Sequence, residues 1–209
     1  MYLVRHQIES GHSLGVFDSE YVLKRDESVA EGGKLYWDLD DPSADGDKLL
    51  EQMDFPLVSV ALAYDGINPL DPQRMAGLMA CLPAFSAIYR TLTTLDKRDP
   101  ESWKPKAAGE VLVRNATSTR HEYEGQGVMK NMARAMMFAA AEKGFRGIEI
   151  VCLSDAVTHV WSHPPEPFRG EIVCQFHTAT FEEQDEEGNL TNPFHPASQM
   201  ATKVYCHLR

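Results

Sequence analysis

The stretch that decides the fold is YEGQGVMK, residues 123–130, a glycine pair between a predicted strand and a predicted helix. The strand starts at Glu110 and runs towards Thr119, and the helix runs from Val128 to Lys143 and stops at Gly144. Glycines at such a junction let backbone N–H groups approach an anion, and the helix N-terminus adds partial positive charge. The stretch therefore predicts a pyrophosphate site.

Two common phosphate motifs do not fit this stretch. The dinucleotide fingerprint G-x-G-x-x-G fails because Lys130 stands at the position of the third glycine. A P-loop is excluded as well, since no Gly-Lys-Ser/Thr follows the glycine pair.

The regions on either side predict alternating strands and helices. Residues 71–96 carry apolar side chains at helical spacing, and Pro83 divides them into two helices. Further strands are predicted at the positions that follow: residues 12–23, 55–64, 147–153, 171–181 and 200–208. The pattern predicts a mixed α/β sheet with one strong βαβ unit, in a single domain over residues 1–209.

Charge and composition exclude several classes of function. Lys and Arg number 20 against 31 Asp and Glu, a formal net charge of −11, which disfavours nucleic-acid binding because that depends on neutralising phosphates. The acidic surface either attracts cationic small molecules or simply keeps the protein soluble. No apolar run approaches the ~20 residues that span a bilayer, so no membrane segment is expected.

The cysteines indicate a reducing compartment. They are widely spaced, form no C-x-x-C pair, and three of them lie in apolar strand-like runs; the four are Cys81, Cys152, Cys174 and Cys206. No secretory signal is visible at the N-terminus, so we expect a cytoplasmic protein with reduced thiols.

Residues 123–130, with the strand before them and the helix and strand after them, resemble motif A of the GCN5-related N-acetyltransferase (GNAT) superfamily, R/Q-x-x-G-x-G/A. The resemblance covers about forty residues and implies a mixed, mostly antiparallel sheet with a central splayed βαβ unit. It also implies that acetyl-CoA or another acyl-CoA is bound. The splayed strand that pairs with the pantetheine would be Thr117, Ser118 and Thr119. The phosphate cradle would be Gly125, Gln126, Gly127, Val128, Met129 and Lys130.

A finer resemblance is to the invertebrate-type arylalkylamine N-acetyltransferases. These proteins share a helical insertion before the splayed strand, here about residues 71–96, and a Cys-x-Ser segment, here residues 152–154. Their C-terminal hairpin is matched in outline by residues 171–209.

Several positions depart from the family pattern. Glu124 stands where the motif has Arg or Gln, and Met129 stands where it has Gly or Ala. A carboxylate beside a pyrophosphate is repulsive by about 1 kcal/mol near a surface, and Arg120 or Lys130 could offset it. Trp161 corresponds to the Tyr that often serves as general acid in the superfamily.

The family's two serines after the next strand are also missing from their places, and its first strand and two helices are not evident. Leu153 and Val157 occupy the serine positions, with only Ser154 beside them. Barely ten residues precede the first predicted strand, so the N-terminal helical elements are atypical or missing, or the chain is a fragment.

Ser154 is the candidate catalytic residue, in contact with the thioester. Its alternative role is to cap the helix over residues 155–161. His159 and His163 are four residues apart, but no third ligand is marked and Pro164 ends the helix, so no metal site is predicted.

The sequence thus predicts an N-acetyltransferase that moves an acetyl group from acetyl-CoA to a primary amine by direct attack, with a small cationic amine as acceptor. The alternative is a non-catalytic acyl-CoA-binding or interaction module of the same fold. A third interpretation drops the resemblance and leaves an acidic α/β domain. The general base, the general acid and the formation of a homodimer stay open.

Overall fold

The computed structural model describes residues 2–38, 40–184 and 187–209. The helices are α1 (Tyr2–Glu9), α2 (Asp26–Glu31), α3 (Gly46–Gln52), α4 (Pro72–Cys81), α5 (Pro83–Leu95), α6 (Pro100–Trp103), α7 (Val128–Glu142) and α8 (Asp155–Ser162). The strands are β1 (Leu14–Phe17), β2 (Lys34–Leu35), β3 (Met53–Asp54), β4 (Leu57–Asp65), β5 (Val111–Thr119), β6 (Gly147–Cys152), β7 (Arg169–His177), β8 (Glu183–Gln184), β9 (Leu190–Thr191) and β10 (Met200–His207).

The main sheet has six strands in the order β1-β4-β5-β6-β10-β7. Strands β5 and β6 run parallel, joined through α7, and the other neighbours in this sheet run antiparallel. The predicted mixed, mostly antiparallel sheet with a central βαβ unit is confirmed.

Proline and glycine set the helix boundaries where the sequence predicts them. Pro83 begins α5 directly after α4, and the two helices meet at a bend of 120°. At the other predicted junction, Gly127 caps α7 in the left-handed conformation with φ 76°, and the chain leaves the helix before Gly144 at φ 91°.

The strand predicted over residues 12–23 is too long. It ends at Phe17, because Asp18 starts a turn in which its carboxylate accepts from the backbone N–H of Glu20. The chain then leaves the sheet towards Asp54, whose buried carboxylate accepts from the Tyr21 hydroxyl and the Lys24 N–H. Hydrogen bonds to the carboxylates of Asp18 and Asp54 therefore replace the strand pairing that the sequence indicated.

Helices cover both faces of the sheet. On one face, α7 and α8 pack on the larger apolar core, which includes Met137, Ile148 and Trp161. On the other face, α5 packs through Ile88 and Leu92 in a smaller core. The two faces follow from the strand period of two, since alternate residues of β6 and β10 belong to different cores.

Within the described ranges, no single helix is long and apolar enough to cross a membrane, although the bent pair α4–α5 passes that test by length and composition when the two are counted together.

Candidate functional site

A gap opens between β5 and β6 in the middle of the sheet. The two strands pair over Val111–Arg114 and Gly147–Ile150, and the pairing stops there although β5 continues to Thr119. Strand β5 stays paired with β4 as far as Ser59–Thr119, so its open edge faces β6. The residues of the predicted splayed strand, Thr117, Ser118 and Thr119, lie along this open part.

The turn after β5 presents a row of backbone N–H groups with no acceptor. Among the described residues, the N–H groups from Gly125 to Lys130 make no hydrogen bond, because they precede the first turn of α7 or belong to it. Gly125 and Gly127 have φ of 74° and 76°, and a Cβ on either would meet nothing within 4 Å. The turn can therefore donate to an anionic group from its open side.

The side chains before the turn hold it in place and carry both signs of charge. The Tyr123 hydroxyl donates to Asp18 at 2.8 Å, and this hydrogen bond lowers the pKa of the Asp18 carboxyl. Arg120 forms an ion pair with Glu122, and an offset of the Glu124 charge by Arg120 stays a prediction. Glu124 and Lys130 are both exposed.

Comparisons with known proteins address the fold. No protein-family model and no curated protein matches the sequence. Arylalkylamine N-acetyltransferase 2 from Aedes aegypti superposes with a TM-score of 0.53 at 15% identity, over 75% of this chain and 70% of that one. An agmatine N-acetyltransferase in its apo form superposes with a TM-score of 0.51 at 9% identity, over 93% of this chain and 99% of that one. The C-terminal condensation domain of Ebony, at a TM-score of 0.46 and 15% identity over 71% of this chain, is matched over 65% of its own length.

The chain has the GNAT fold. The resemblance that the glycine pair indicated is thus confirmed at the level of the fold.

Ser154 lies where the GNAT-fold strand β6 passes into α8. It is the N-cap of α8, and its exposed hydroxyl accepts from the Val157 N–H at 3.4 Å. The capping role weighed from the sequence is thus present in the structure, and contact with a thioester stays a prediction.

Trp161 is unsuited to the acid role of the family's Tyr. It is 1% exposed in the larger core, and its Nε1 has no hydrogen-bond partner in the described parts of the chain.

The imidazole rings of His159 and His163 have their centres 4.5 Å apart at the end of α8. Over the described residues, no group of three or more His, Cys, Asp or Glu side chains could hold a metal ion.

A cavity of about 680 Å³ lies on the face of the sheet opposite to α7 and α8, between the central strands and the helices α4 and α5. Its walls are mainly apolar, with Met75, Leu78 and Phe85 on the helix side. Its volume is within the range of pockets that hold small molecules. The helical insertion singled out in the sequence thus forms the roof of a pocket.

Polar groups of the cavity were not identified from the sequence. The phenols of Tyr64 and Tyr89 line it, and burial raises the pKa of both, so each keeps its proton at neutral pH and can donate a hydrogen bond.

Arg114 borders the cavity at β5, but its sheet partners Ala63 and Ile150 belong to the α7–α8 core. Its guanidinium carbon lies 6.0 Å from the centre of the Trp161 ring in that core, and burial lowers the pKa of the guanidinium. For Arg114 the sequence did carry a signal, because a charged residue follows directly on the apolar run Val111-Leu112-Val113.

Glu149 and Lys203 lie at the floor of the cavity in a compact ion-pair cluster. Lys203 Nζ is 3.1 Å from Glu149 and 3.0 Å from Asp96, and Arg98 Nη2 is 2.7 Å from Asp96. Burial raises the pKa of Asp96, but hydrogen bonds from Arg98 and Lys203 outweigh it and hold that pKa well below its ordinary value. The cluster brings two cations and two carboxylates together and leaves no net charge.

Proposed function

We propose that this protein is an acyl-CoA-dependent N-acyltransferase that moves an acetyl group from acetyl-CoA to a primary amine. The observation that carries the proposal is the combination of the gap between β5 and β6 with the unpartnered N–H groups of Gly125–Lys130. The gap leaves an unpaired strand edge with which an extended ligand can pair, and the N–H groups can donate hydrogen bonds to a pyrophosphate. Neighbours of the same fold are arylalkylamine and agmatine N-acetyltransferases.

The residues present fit these ligand groups. Both glycines of the turn leave open space where a side chain would stand, so phosphate oxygens can approach the backbone closely. In the proposed complex, Thr117, Ser118 and Thr119 offer backbone groups to the pantetheine, and Gly125, Gln126, Gly127, Val128, Met129 and Lys130 surround the pyrophosphate. Lys130 is exposed beside the turn and adds a positive charge.

The reaction joins the amine nitrogen to the thioester carbonyl carbon and breaks the C–S bond. The acceptor ammonium loses one proton before attack and a second as the amide forms, and the departing thiolate takes up a proton to leave as CoA thiol. Ser154 remains the candidate for contact with the thioester. Tyr89 lines the adjoining cavity with its proton retained, and we propose it as the donor to the thiolate in place of Trp161.

Thermal unfolding with and without acetyl-CoA tests the binding step. Ligand at 100 times its dissociation constant stabilises by about 2.7 kcal/mol, which raises Tm by roughly 5 to 10 °C for a chain of this size. Adenosine bisphosphate, which carries the phosphates without the pantetheine, should give a smaller rise. No rise in Tm at millimolar acetyl-CoA would overturn the proposal.

A matched pair of variants locates the site. Gly127→Asp and Gly127→Asn place side chains of equal size in the same left-handed conformation, which both residue types tolerate, and they differ in charge. The Asp variant should lose at least about tenfold more affinity than the Asn variant, because its carboxylate faces the phosphates. Gly109→Asp, at φ 78° in a distant turn, serves as the control and should bind normally.

A second candidate function is an acyl-CoA-binding module without catalysis. It is favoured by Trp161, a buried non-acid at the position of the family's Tyr, and by the use of the Ser154 hydroxyl as a helix cap. Acetyl-CoA binding without turnover over a panel of primary amines would favour the module. Turnover that falls at least tenfold in Tyr89→Phe, with acetyl-CoA binding unchanged, would favour the enzyme.

A further inference from the structure

Arg114 is a buried cation at the point where the gap between β5 and β6 begins. It is the last residue of β5 that pairs with β6, and it is 5% exposed. Its side chain lies on the α7–α8 face, because its sheet partners Ala63 and Ile150 belong to the core on that face. Its Nη2 donates to the hydroxyl of Thr117, which is past the last pair of β5 with β6, so the guanidinium extends along the open part of the strand.

The guanidinium of Arg114 has no anionic partner. Among the described residues it forms no ion pair, and its buried Nε has no hydrogen-bond acceptor. The titratable side chains of other elements that act on its charge are Cys152 of β6 and Tyr89 of α5. Burial raises the pKa of both, so neither is an anion at neutral pH. An arginine keeps its proton in proteins, so this positive charge is buried without compensation.

A second buried donor next to Arg114 also lacks an acceptor. Trp161 of α8 is buried, and its Nε1 has no hydrogen-bond partner in the part of the chain that the structure describes. The centre of its ring lies 6.0 Å from the guanidinium carbon of Arg114. Buried N–H groups without an acceptor are costly and rare in folded proteins. Two such donors on neighbouring side chains at the closed end of the gap therefore indicate a place for a group that accepts hydrogen bonds and carries negative charge.

The proposed binding of acyl-CoA brings its sulfur to this place. In that complex the turn at Gly125–Lys130 holds the pyrophosphate at one end of the open part of β5, and the pantetheine arm follows the strand from Thr119 towards Arg114. Five strand steps of about 3.3 Å separate these two residues, so the open part is roughly 16 Å long, a distance that an extended pantetheine arm spans. The thioester at the end of the arm then lies at the closed end of the gap, beside the guanidinium.

We propose that Arg114 is a catalytic residue that stabilises the thiolate of CoA as it leaves. The amine nitrogen bonds to the carbonyl carbon and the C–S bond breaks, so the electron pair of that bond stays on sulfur. The guanidinium donates hydrogen bonds to the resulting anion without losing a proton, and the thiolate then takes up a proton, for which Tyr89 is the proposed donor. The role of Arg114 rests on the proposed function and deepens it, because a positive charge beside a thiol favours the thiolate form.

Two ligands that differ only in the sulfur test this role: CoA and desulfo-CoA. In the unchanged protein the thiol of bound CoA should have a pKa at least about one unit below that of free CoA, because the guanidinium favours the thiolate. Ultraviolet absorbance of the thiolate measures this pKa, with the desulfo-CoA complex as the blank. Above the pKa of the free thiol, CoA should bind at least about tenfold more tightly than desulfo-CoA. A bound thiol with the pKa of free CoA, or equal affinities for the two ligands, would overturn the proposal.

A variant of Arg114 provides the second measurement. Arg114→Met removes the charge, so the pKa of the bound thiol should return to that of free CoA. The kcat should fall at least about tenfold with little change in the KM for acetyl-CoA, because the charge that Arg114 meets forms only as the C–S bond breaks. Arg90→Met, at an exposed position of α5 on the other face of the sheet, is the matched control and should change neither value. A lowered thiol pKa that survives in Arg114→Met would contradict the assignment. If Arg114→Met fails to fold, CoA and desulfo-CoA on the unchanged protein decide alone.

Separate outcomes distinguish this proposal from the proposed function. Turnover of acetyl-CoA together with an ordinary pKa of the bound CoA thiol refutes the role of Arg114 and keeps the acyltransferase. A lowered thiol pKa without turnover on any primary amine does the reverse, since the thiolate site then exists in a protein that does not catalyse the transfer. If Arg114→Met lowers kcat although the thiol pKa in the unchanged protein is ordinary, the guanidinium acts on the carbonyl oxygen and the thiolate assignment fails.

Discussion

The two faces of the central sheet differ in how tightly helices cover them. On the α7–α8 face, Met137 is fully buried and Trp161 is 1% exposed. On the α4–α5 face, Leu78 and Tyr89 are each 38% exposed, and a cavity of about 680 Å³ separates the helices from the strands. One sheet therefore carries a closed core on one side and an open pocket on the other.

The difference indicates a division of roles between the faces. Close packing on the α7–α8 face fixes the turn at Gly127, because α7 begins directly after that residue and is anchored along its length. Space on the α4–α5 face is what a small molecule needs, and its apolar lining stays accessible. Close packing and open space thus lie on opposite sides of the same strands, and four predictions test that difference.

The largest expected effect concerns the reactivity of the cysteines. Cys152 and Cys206 belong to the closed face, where burial raises their pKa values to about 11 and about 12, whereas Cys81 is exposed at the end of α4. Under native conditions iodoacetamide should modify Cys81 at least about a thousandfold faster, because the buried thiols need both opening and ionisation. Peptide mapping by mass spectrometry measures the rates, with urea-unfolded protein as the control. Equal native rates would contradict a closed face.

The next effect compares the same substitution on the two faces. Met137→Ala should lower the free energy of unfolding by about 4 kcal/mol, because it leaves a void in a close-packed core. Met79→Ala should cost about 1 kcal/mol, since Met79 is partly exposed and already borders the cavity. Urea denaturation gives both values. Equal losses would show that the α4–α5 face is packed as tightly as the other.

Asp96→Asn should cost about 3 kcal/mol at neutral pH, because it removes a charge from the cluster at the cavity floor and leaves Lys203 and Arg98 sharing Glu149. The folded-state pKa of Asp96 is depressed, so its contribution is present above the unfolded pKa near about 4 and is lost as pH falls below it. The difference in the free energy of unfolding between the unchanged protein and Asp96→Asn should therefore become smaller below about pH 4. A difference that stays constant through this window would exclude the charge as its source.

The smallest effect concerns the helix caps on the two faces. The Ser154 hydroxyl caps α8, and the Asp71 carboxylate caps α4 by accepting from the Gln73 N–H at 2.8 Å. Replacement of either by Ala should cost about 1 kcal/mol, and Ser154→Asp should keep most of the stability. If Ser154→Asp lowers stability as much as Ser154→Ala, the hydroxyl has a role in the fold besides capping.

The elements with local signals were the ones that the sequence predicted well. Pro83 and Gly144 act on their own neighbours, so the break between α4 and α5 and the end of α7 follow from the residues at those positions. The gap between β5 and β6 came from the resemblance to the GNAT superfamily, since the pattern of β5 does not show where its pairing stops.

The cavity could not be predicted from the sequence. Its volume depends on how far α4 and α5 lie from strands that are distant in sequence, which no local pattern specifies. Arg114 was visible as a charge within an apolar strand, but its lack of a partner is apparent only when every neighbouring element is in place. The shortened first strand has a similar cause, because Asp54 draws residues 21–25 away from the sheet.

The short parallel contact between β5 and β6 divides the sheet into two halves. In the described part of the chain, four residue pairs between β5 and β6 join the three strands β1-β4-β5 to the three strands β6-β10-β7. Helix α7 packs against β1, β4 and β5 of one half and against β6 of the other, and it also contacts α8, which packs against β6, β10 and β7. The two halves are thus joined by four strand pairs and by the packing of α7 across them. A mechanical load applied across the sheet would therefore fall on those four pairs and on the contacts of α7, at the edge where the gap begins.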